Sequence, residues 1–138
     1  MLSTPIVLDA SAFVRAVGAA GEPDDRALGW IDAANEGSTE ALAPEVLFAE
    51  VANALLGYVR AGDVSLPTAA AILDDLHRLP IRSVALRELA VPAFQLAAIR
   101  RLSVYDACYL VLAEQAKATL VTADRALAAA ATDVILLD

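Results

Sequence analysis

The chain has one cysteine among its 138 residues, one histidine and one lysine. A lone Cys108 excludes an internal disulfide and suits a reducing compartment, so we expect a cytoplasmic protein. With His77 as the only imidazole there is almost no material for a zinc centre, which draws on Cys and His together. No apolar run approaches the roughly 20 residues that a membrane-spanning helix needs. Met1 to Pro5 offers neither a basic segment nor a cleavage site, so no secretory signal is expected. Repeats, low-complexity linkers and charge blocks are also missing. The chain is therefore expected to form one domain over 1–138, long enough to bury a core without staples.

Hydrophobic residues make up 59% of the chain and mean hydropathy is +0.59. Much of this is alanine, a strong helix former with little apolar area, so a helix-rich protein is implied. The apolar surface left over points to a partner: a homodimer, an obligate binding protein, or both. A net charge of −8 has the wrong sign for binding nucleic acid by bulk electrostatics and counts against a plain RNA-binding module. It counts less against a metal nuclease, where acids gather at the metal and local arginines grip phosphate. All basic residues except Lys117 are arginine, which suits bidentate phosphate contacts, although GC-rich codon usage gives the same bias.

Short apolar runs alternate with helical patterns. Strands are expected at Ile6-Val7-Leu8, Ala41-Leu42-Ala43, Ile81 to Val84, Thr119 to Thr122 and Val134-Ile135-Leu136. Helices are expected from Ala10 to the Gly18–Gly21 stretch, from Pro23-Asp24-Asp25 to about Asn35, and from Glu45 to about Ala61 with Gly62 as its stop. Three more run from Thr68 to Leu79, from Arg87 to Arg101 and from Ser103 onward, and a short one spans Asp124 to Ala131. Pro92 must lie in the first turn of its helix or kink it. Such alternation indicates a parallel sheet between helix layers, with ligands bound beyond the carboxyl ends of the strands.

Four acids fall where a site belongs. Asp9 follows the first strand, Asp124 follows the fourth by one residue, Asp106 opens a helix, and Glu50 lies within one. Three have an ordinary explanation: Asp9 and Asp124 are natural N-caps, and Ser103 with Asp106 fits a capping box. Glu50 does not. From Val46 to Leu56 the only polar residues are Glu50 and Asn53. They form a narrow stripe opposite a heavy apolar face of Phe48, Val51, Ala52, Leu55 and Leu56. Such a stripe is either a helix edge touching water or the wall of a site. Gathered carboxylates without a counter-charge repel by about 4 kcal/mol per pair at 4 Å and an effective dielectric of 20. They either protonate or bind a divalent cation, and oxygen-only donors favour Mg²⁺ or Mn²⁺. Such a centre suits phosphodiester hydrolysis.

Four blocks then resemble a known family in its own order: Val7-Leu8-Asp9-Ala10-Ser11-Ala12, Pro44-Glu45-Val46 through Glu50 to Leu55, Ser103 to Leu110, and Leu120-Val121-Thr122-Ala123-Asp124. Together they are similar to the PIN-domain toxins, VapC-type ribonucleases of type II toxin–antitoxin systems, along essentially the whole chain. The resemblance implies a three-layer α/β sandwich with a five-stranded parallel sheet. It implies Mg²⁺ or Mn²⁺ held by Asp9, Asp106 and Asp124, some through waters, with Glu50 orienting metal-bound water or moving a proton. Ser11 and Thr122 would support the metal site, and Asn53 would orient Glu50 or the substrate; Thr122 as a plain strand residue and Asn53 as a helix edge are equally open. Family members of this type cleave RNA, form homodimers and are silenced by a small antitoxin. Trp30 is then a packing residue or an anchor for that antitoxin.

Glu45 reads as a first-turn acid, His77 as a helix-end charge and Cys108 as core. A phosphatase of the haloacid-dehalogenase type needs a second Asp two residues after the first, where Ser11 stands. A Rossmann site needs a glycine-rich turn that Asp9 to Ala12 lacks. The remaining alternative is a catalytically inactive PIN-like module that binds protein or RNA.

Overall fold

The structure, a computed structural model, describes residues 3–19 and 21–137; Met1 and Leu2, on which part of the N-terminal reading rests, lie outside these. Strands β1 (Ile6–Leu8), β2 (Ala41–Pro44), β3 (Ile81–Val84), β4 (Thr119–Thr122) and β5 (Val134–Leu136) form one sheet in the order β3-β2-β1-β4-β5. Every pairing is parallel: Ile6 sits opposite Ala41 on one side and Thr119 on the other. Strand order reverses between β1 and β4, and that switch point is where parallel sheets open a crevice at their carboxyl edge.

Among the described residues seven helices cover the sheet: α1 (Ala10–Val17), α2 (Asp25–Glu36), α3 (Val46–Ala61), α4 (Leu66–Arg78), α5 (Leu86–Arg100), α6 (Val104–Ala116) and α7 (Arg125–Ala130). The central strands are buried on both faces because their side chains alternate. Ile6, Leu8, Ala43 and Val121 pack with Phe13, Ile31, Leu47 and Leu76 from α1 to α4. Val7, Leu42 and Leu120 pack with Leu89, Ala93, Leu110 and Leu127 from α5 to α7. Each fully buried aliphatic side chain contributes about 1.5–3 kcal/mol. The expected α/β sandwich with a five-stranded parallel sheet is therefore present.

Four local expectations are corrected. β2 runs one residue past the expected Ala41-Leu42-Ala43 and ends on Pro44, a strand-end position where the missing N–H costs little. α4 begins at Leu66, because Ser65 is its cap and Pro67 fits the first turn. Of the two expectations for Pro92 the first-turn one falls: it stands inside α5, where the buried row Leu89, Ala93 and Ala97 against α6 offsets a cost of about 3 kcal/mol. The buried face of α3 runs through Leu47, Val51 and Leu55, while Leu56 is exposed.

Gly18 ends α1 with φ +70°, and a Cβ there would come within 2.7 Å of the Pro23 nitrogen. Only glycine fits this turn, which carries the chain from α1 toward α2. Among the described residues no helix is long and apolar enough to cross a membrane.

Candidate active site

Asp9 leaves the carboxyl end of β1 and caps α1, as its position after an apolar run and before Ala10 requires. Its Oδ1 accepts from the Ala12 amide at 2.9 Å and from the Ser11 hydroxyl at 2.7 Å. Its Oδ2 accepts from the Thr122 hydroxyl. Thr122, the last residue of β4, is wholly buried, and its Oγ1 also accepts from the Asp124 amide at 2.9 Å. Ser11 Oγ accepts from the Ala123 amide at 2.9 Å and lies 3.3 Å from Thr122 Oγ1. Asp124 caps α7 through Oδ1, which accepts from the amides of Ala126 and Leu127 at 2.9 and 3.1 Å. Asp9 and Asp124 are both N-caps, and Thr122 links them in one hydrogen-bond network. One network ties the ends of β1 and β4 to the starts of α1 and α7.

Glu50 and Asp106 arrive from helices and are half-buried. Glu50 Oε1 accepts a 2.6 Å hydrogen bond from the Tyr109 hydroxyl, so α6 holds the acid of α3. Ser103 caps α6 by accepting from the Asp106 amide at 3.0 Å. Asn53, one turn beyond Glu50, is exposed, and Glu50 takes its hydrogen bond from Tyr109 instead.

Tyr109 is the member of this group that we did not single out from sequence. A tyrosine one turn after Asp106 in an otherwise apolar helix was the available signal, since a buried phenol needs a partner. His77 is exposed, with Nδ1 2.7 Å from the Leu73 carbonyl oxygen and its ring 5.2 Å from that of Phe48, and takes no part. Cys108 is buried core, and burial with the nearby Glu50 charge pushes its thiol up.

Burial and pairwise repulsion act together on the acids. Burial pushes the Asp9 carboxyl above 3.8, hydrogen bonds from Thr122, Ser11 and Ala12 oppose this, and Asp124 adds to the rise. Burial raises Glu50 above 4.5, Tyr109 pulls it back, and Asp106 and Asp9 push it further. Burial also raises Asp106, with Asp124 adding to it and Ser103 opposing. Tyr109 is driven far above its ordinary range by burial and by Glu50, so it stays a neutral donor.

Among the described residues no three His, Cys, Asp or Glu side chains stand as a group that could hold a metal ion. The carboxylates feel one another's charge without converging on a single point. Their donor set still fits a hard divalent cation: the donors are all oxygen, and burial, with a smaller part from mutual repulsion, raises three of them, a charge cost that such a cation relieves. The ion pairs described, Arg15–Asp24, Arg78–Asp75, Arg82–Glu40 and Arg100–Glu114, involve other acids.

Fold and site together define an α/β protein with electrostatically coupled acids near the switch point of a parallel sheet. The PIN domain matches residues 6–133, and the chain belongs to the PIN-domain family, whose members are generally nucleases. No curated protein matches the sequence. Among solved structures, PAE2754 from Pyrobaculum aerophilum is 27% identical with a TM-score of 0.72, the match covering 96% of this chain and 88% of that one. FitAcB from Neisseria gonorrhoeae is 17% identical with a TM-score of 0.61, over 94% and 96% of the two chains. FitAB bound to an IR36 DNA fragment gives 17% identity and a TM-score of 0.55, over 94% and 93%. The last two establish likeness of fold.

Proposed function

We propose that this chain is a divalent-cation-dependent endoribonuclease, one PIN domain over 1–138, acting as the toxin of a toxin–antitoxin pair in the cytoplasm. The observation that supports the reading is that Asp9, Glu50, Asp106 and Asp124 feel one another's charge near the carboxyl ends of β1 and β4, where burial raises three of them. Mg²⁺ or Mn²⁺ would be held by Asp9, Asp106 and Asp124. When bound, it would supply charge neutralisation at the phosphoryl oxygens and an acidified water.

The protein's own groups do the rest. Ser11 and Thr122 fix the orientation of the Asp9 carboxylate, and Thr122 sets the Asp124 backbone. Glu50, held by Tyr109 and with its carboxyl raised toward neutrality, accepts the proton of the attacking water. Asn53, exposed on the same helix, contacts the substrate.

Two partners belong to this reading. A homodimer is supported by the exposed side of α5, where Val91, Phe94 and Ile99 lie open at 67%, 66% and 80%. Sedimentation of the chain beside Phe94→Glu tests it, with a dimer expected for the first and a monomer for the second. An antitoxin is supported by the likeness to FitAB, a complex found on DNA.

Incubating RNA with the purified chain in Mg²⁺, Mn²⁺ or EDTA, with Asp9→Asn alongside, tests the main proposal. Divalent-dependent cleavage absent from the variant is expected. No cleavage and no divalent binding would replace the enzyme with a binding module.

A further inference from the structure

A cavity of about 360 Å³ is walled by Ser11, Arg15, Gly18, Glu22, Tyr58 and Ala123. It shares Ser11 and Ala123 with the hydrogen-bond network around Asp9. We propose that it receives one unpaired nucleobase of the RNA, next to the phosphate being cut, with Tyr58 as its stacking surface. This rests on the ribonuclease reading and assigns the substrate as single-stranded at that nucleotide.

Three features favour a base over a phosphate. The first is charge. Arg15 is already committed, its Nη1 donating to the Leu137 carbonyl oxygen at 2.9 Å and lying 3.9 Å from Asp24. Glu22 stands on the same wall, so the cavity is close to neutral, and an isolated phosphate gains little there. The second is shape. Among the described residues nothing lies within 4 Å of a Cβ built at Gly21, which leaves room on that wall for a flat group. The third is Tyr58, a half-buried ring whose body packs on the core while it lines the cavity. Such a ring binds any base by its π-face, and Arg15, whose Nη1 alone makes those two contacts, keeps its other guanidinium N–H groups for a base edge. Neither residue is a catalytic residue on this view; both position the strand.

The test uses full-length chain in Mg²⁺ and short single-stranded RNAs, some with an abasic site. Tyr58→Leu keeps apolar packing without an aromatic face, Tyr58→Phe keeps the face, and thermal melts confirm folding of both. Tyr58→Leu is expected to raise KM about tenfold, with the loss not in kcat, while Tyr58→Phe stays within about twofold of the parent. An RNA abasic at the nucleotide beside the cut should lose affinity for the parent and not for Tyr58→Leu. Equal KM in parent and Tyr58→Leu on every RNA, or equal loss of affinity for the abasic strand in both, overturns the proposal.

Binding of the same RNAs to Asp9→Asn separates this from the reading beneath it. If the parent cuts nothing, the nuclease reading falls. A tenfold drop in RNA binding on adding Tyr58→Leu would then still support the base site, and no drop would remove it.

Discussion

The four acids are held in two different ways. On the strand side, Asp9 and Thr122 are buried and bonded to Ser11, Ala12 and Asp124 in one continuous network. On the helix side, Glu50 and Asp106 are half-buried, and Glu50 depends on a single hydroxyl from another helix. A buried, fully bonded carboxylate loses conformational freedom during folding, before any ligand arrives. A half-exposed one keeps rotamers to adjust as substrate enters. The strand side is thus preorganised and the helix side adaptable, and substitutions should show the difference.

The largest effect is expected from Asp9→Asn. Removing the negative charge at the centre of the rigid half should lower RNA cleavage at least about 100-fold, the scale of several kcal/mol of transition-state stabilisation. Stability should not fall with it, because a buried carboxylate raised by desolvation is a cost to the metal-free fold. Divalent ions should raise the melting temperature of the parent and leave that of the variant unmoved. A variant that still gains Tm with Mn²⁺ would remove Asp9 from the ligand set.

Tyr109→Phe tests the adaptable half. The Tyr109 hydrogen bond holds the Glu50 carboxyl down against burial and the Asp106 and Asp9 charges. Without it that carboxyl rises further, so the acid limb of the rate–pH profile should move to higher pH. Activity near neutrality should drop about tenfold, consistent with a lost hydrogen bond to a charged group at about 1.5–3 kcal/mol. An unshifted profile would show that Glu50 is not the titrating base.

The strand half was legible in the sequence and the helix half only in part, for a physical reason. Ile6-Val7-Leu8 and Thr119 to Thr122 are apolar runs ending beside an acid, and a parallel sheet brings such ends together wherever they lie in the chain. The Glu50–Tyr109 pair depends on how α3 and α6 rotate against each other, which no local pattern encodes. The same limit appears within α3. Periodicity finds its apolar face, yet packing centres that face on Leu47, Val51 and Leu55 and leaves Leu56 exposed. Pro92 is the converse case: a strong local signal overruled by the row that α5 buries against α6.

Thr122→Val should separate stability from chemistry in the strand half. The change keeps shape but strands Asp9 Oδ2 and the Asp124 amide, at a cost of about 2 kcal/mol or more for buried groups left unpaired. Denaturant unfolding reads this directly. A loss under about 0.5 kcal/mol would mean that water takes over the hydroxyl's role and that the half is less rigid than its bonds suggest.

The smallest effect is a pH dependence of the metal-free fold. Asp9, Glu50 and Asp106 all have carboxyls raised by folding above their ordinary 3.8 or 4.5. The folded state therefore holds protons that the unfolded chain has released. Stability from this source is complete below the ordinary carboxylate range and is lost as pH rises through the raised values. Other acids also titrate there, so the clean quantity is the difference in Tm between Asp9→Asn and the parent, both in EDTA. It should be near zero at about pH 4 and grow in favour of the variant toward neutral pH, since only the parent must then carry the buried charge. Adding Mg²⁺ should shrink or reverse the difference at neutral pH, because a bound cation stabilises the same charge that burial penalises. A difference that stays flat with pH would mean that the Thr122, Ser11 and Ala12 hydrogen bonds fully offset the burial of Asp9, and that preorganisation of the strand side costs the fold nothing.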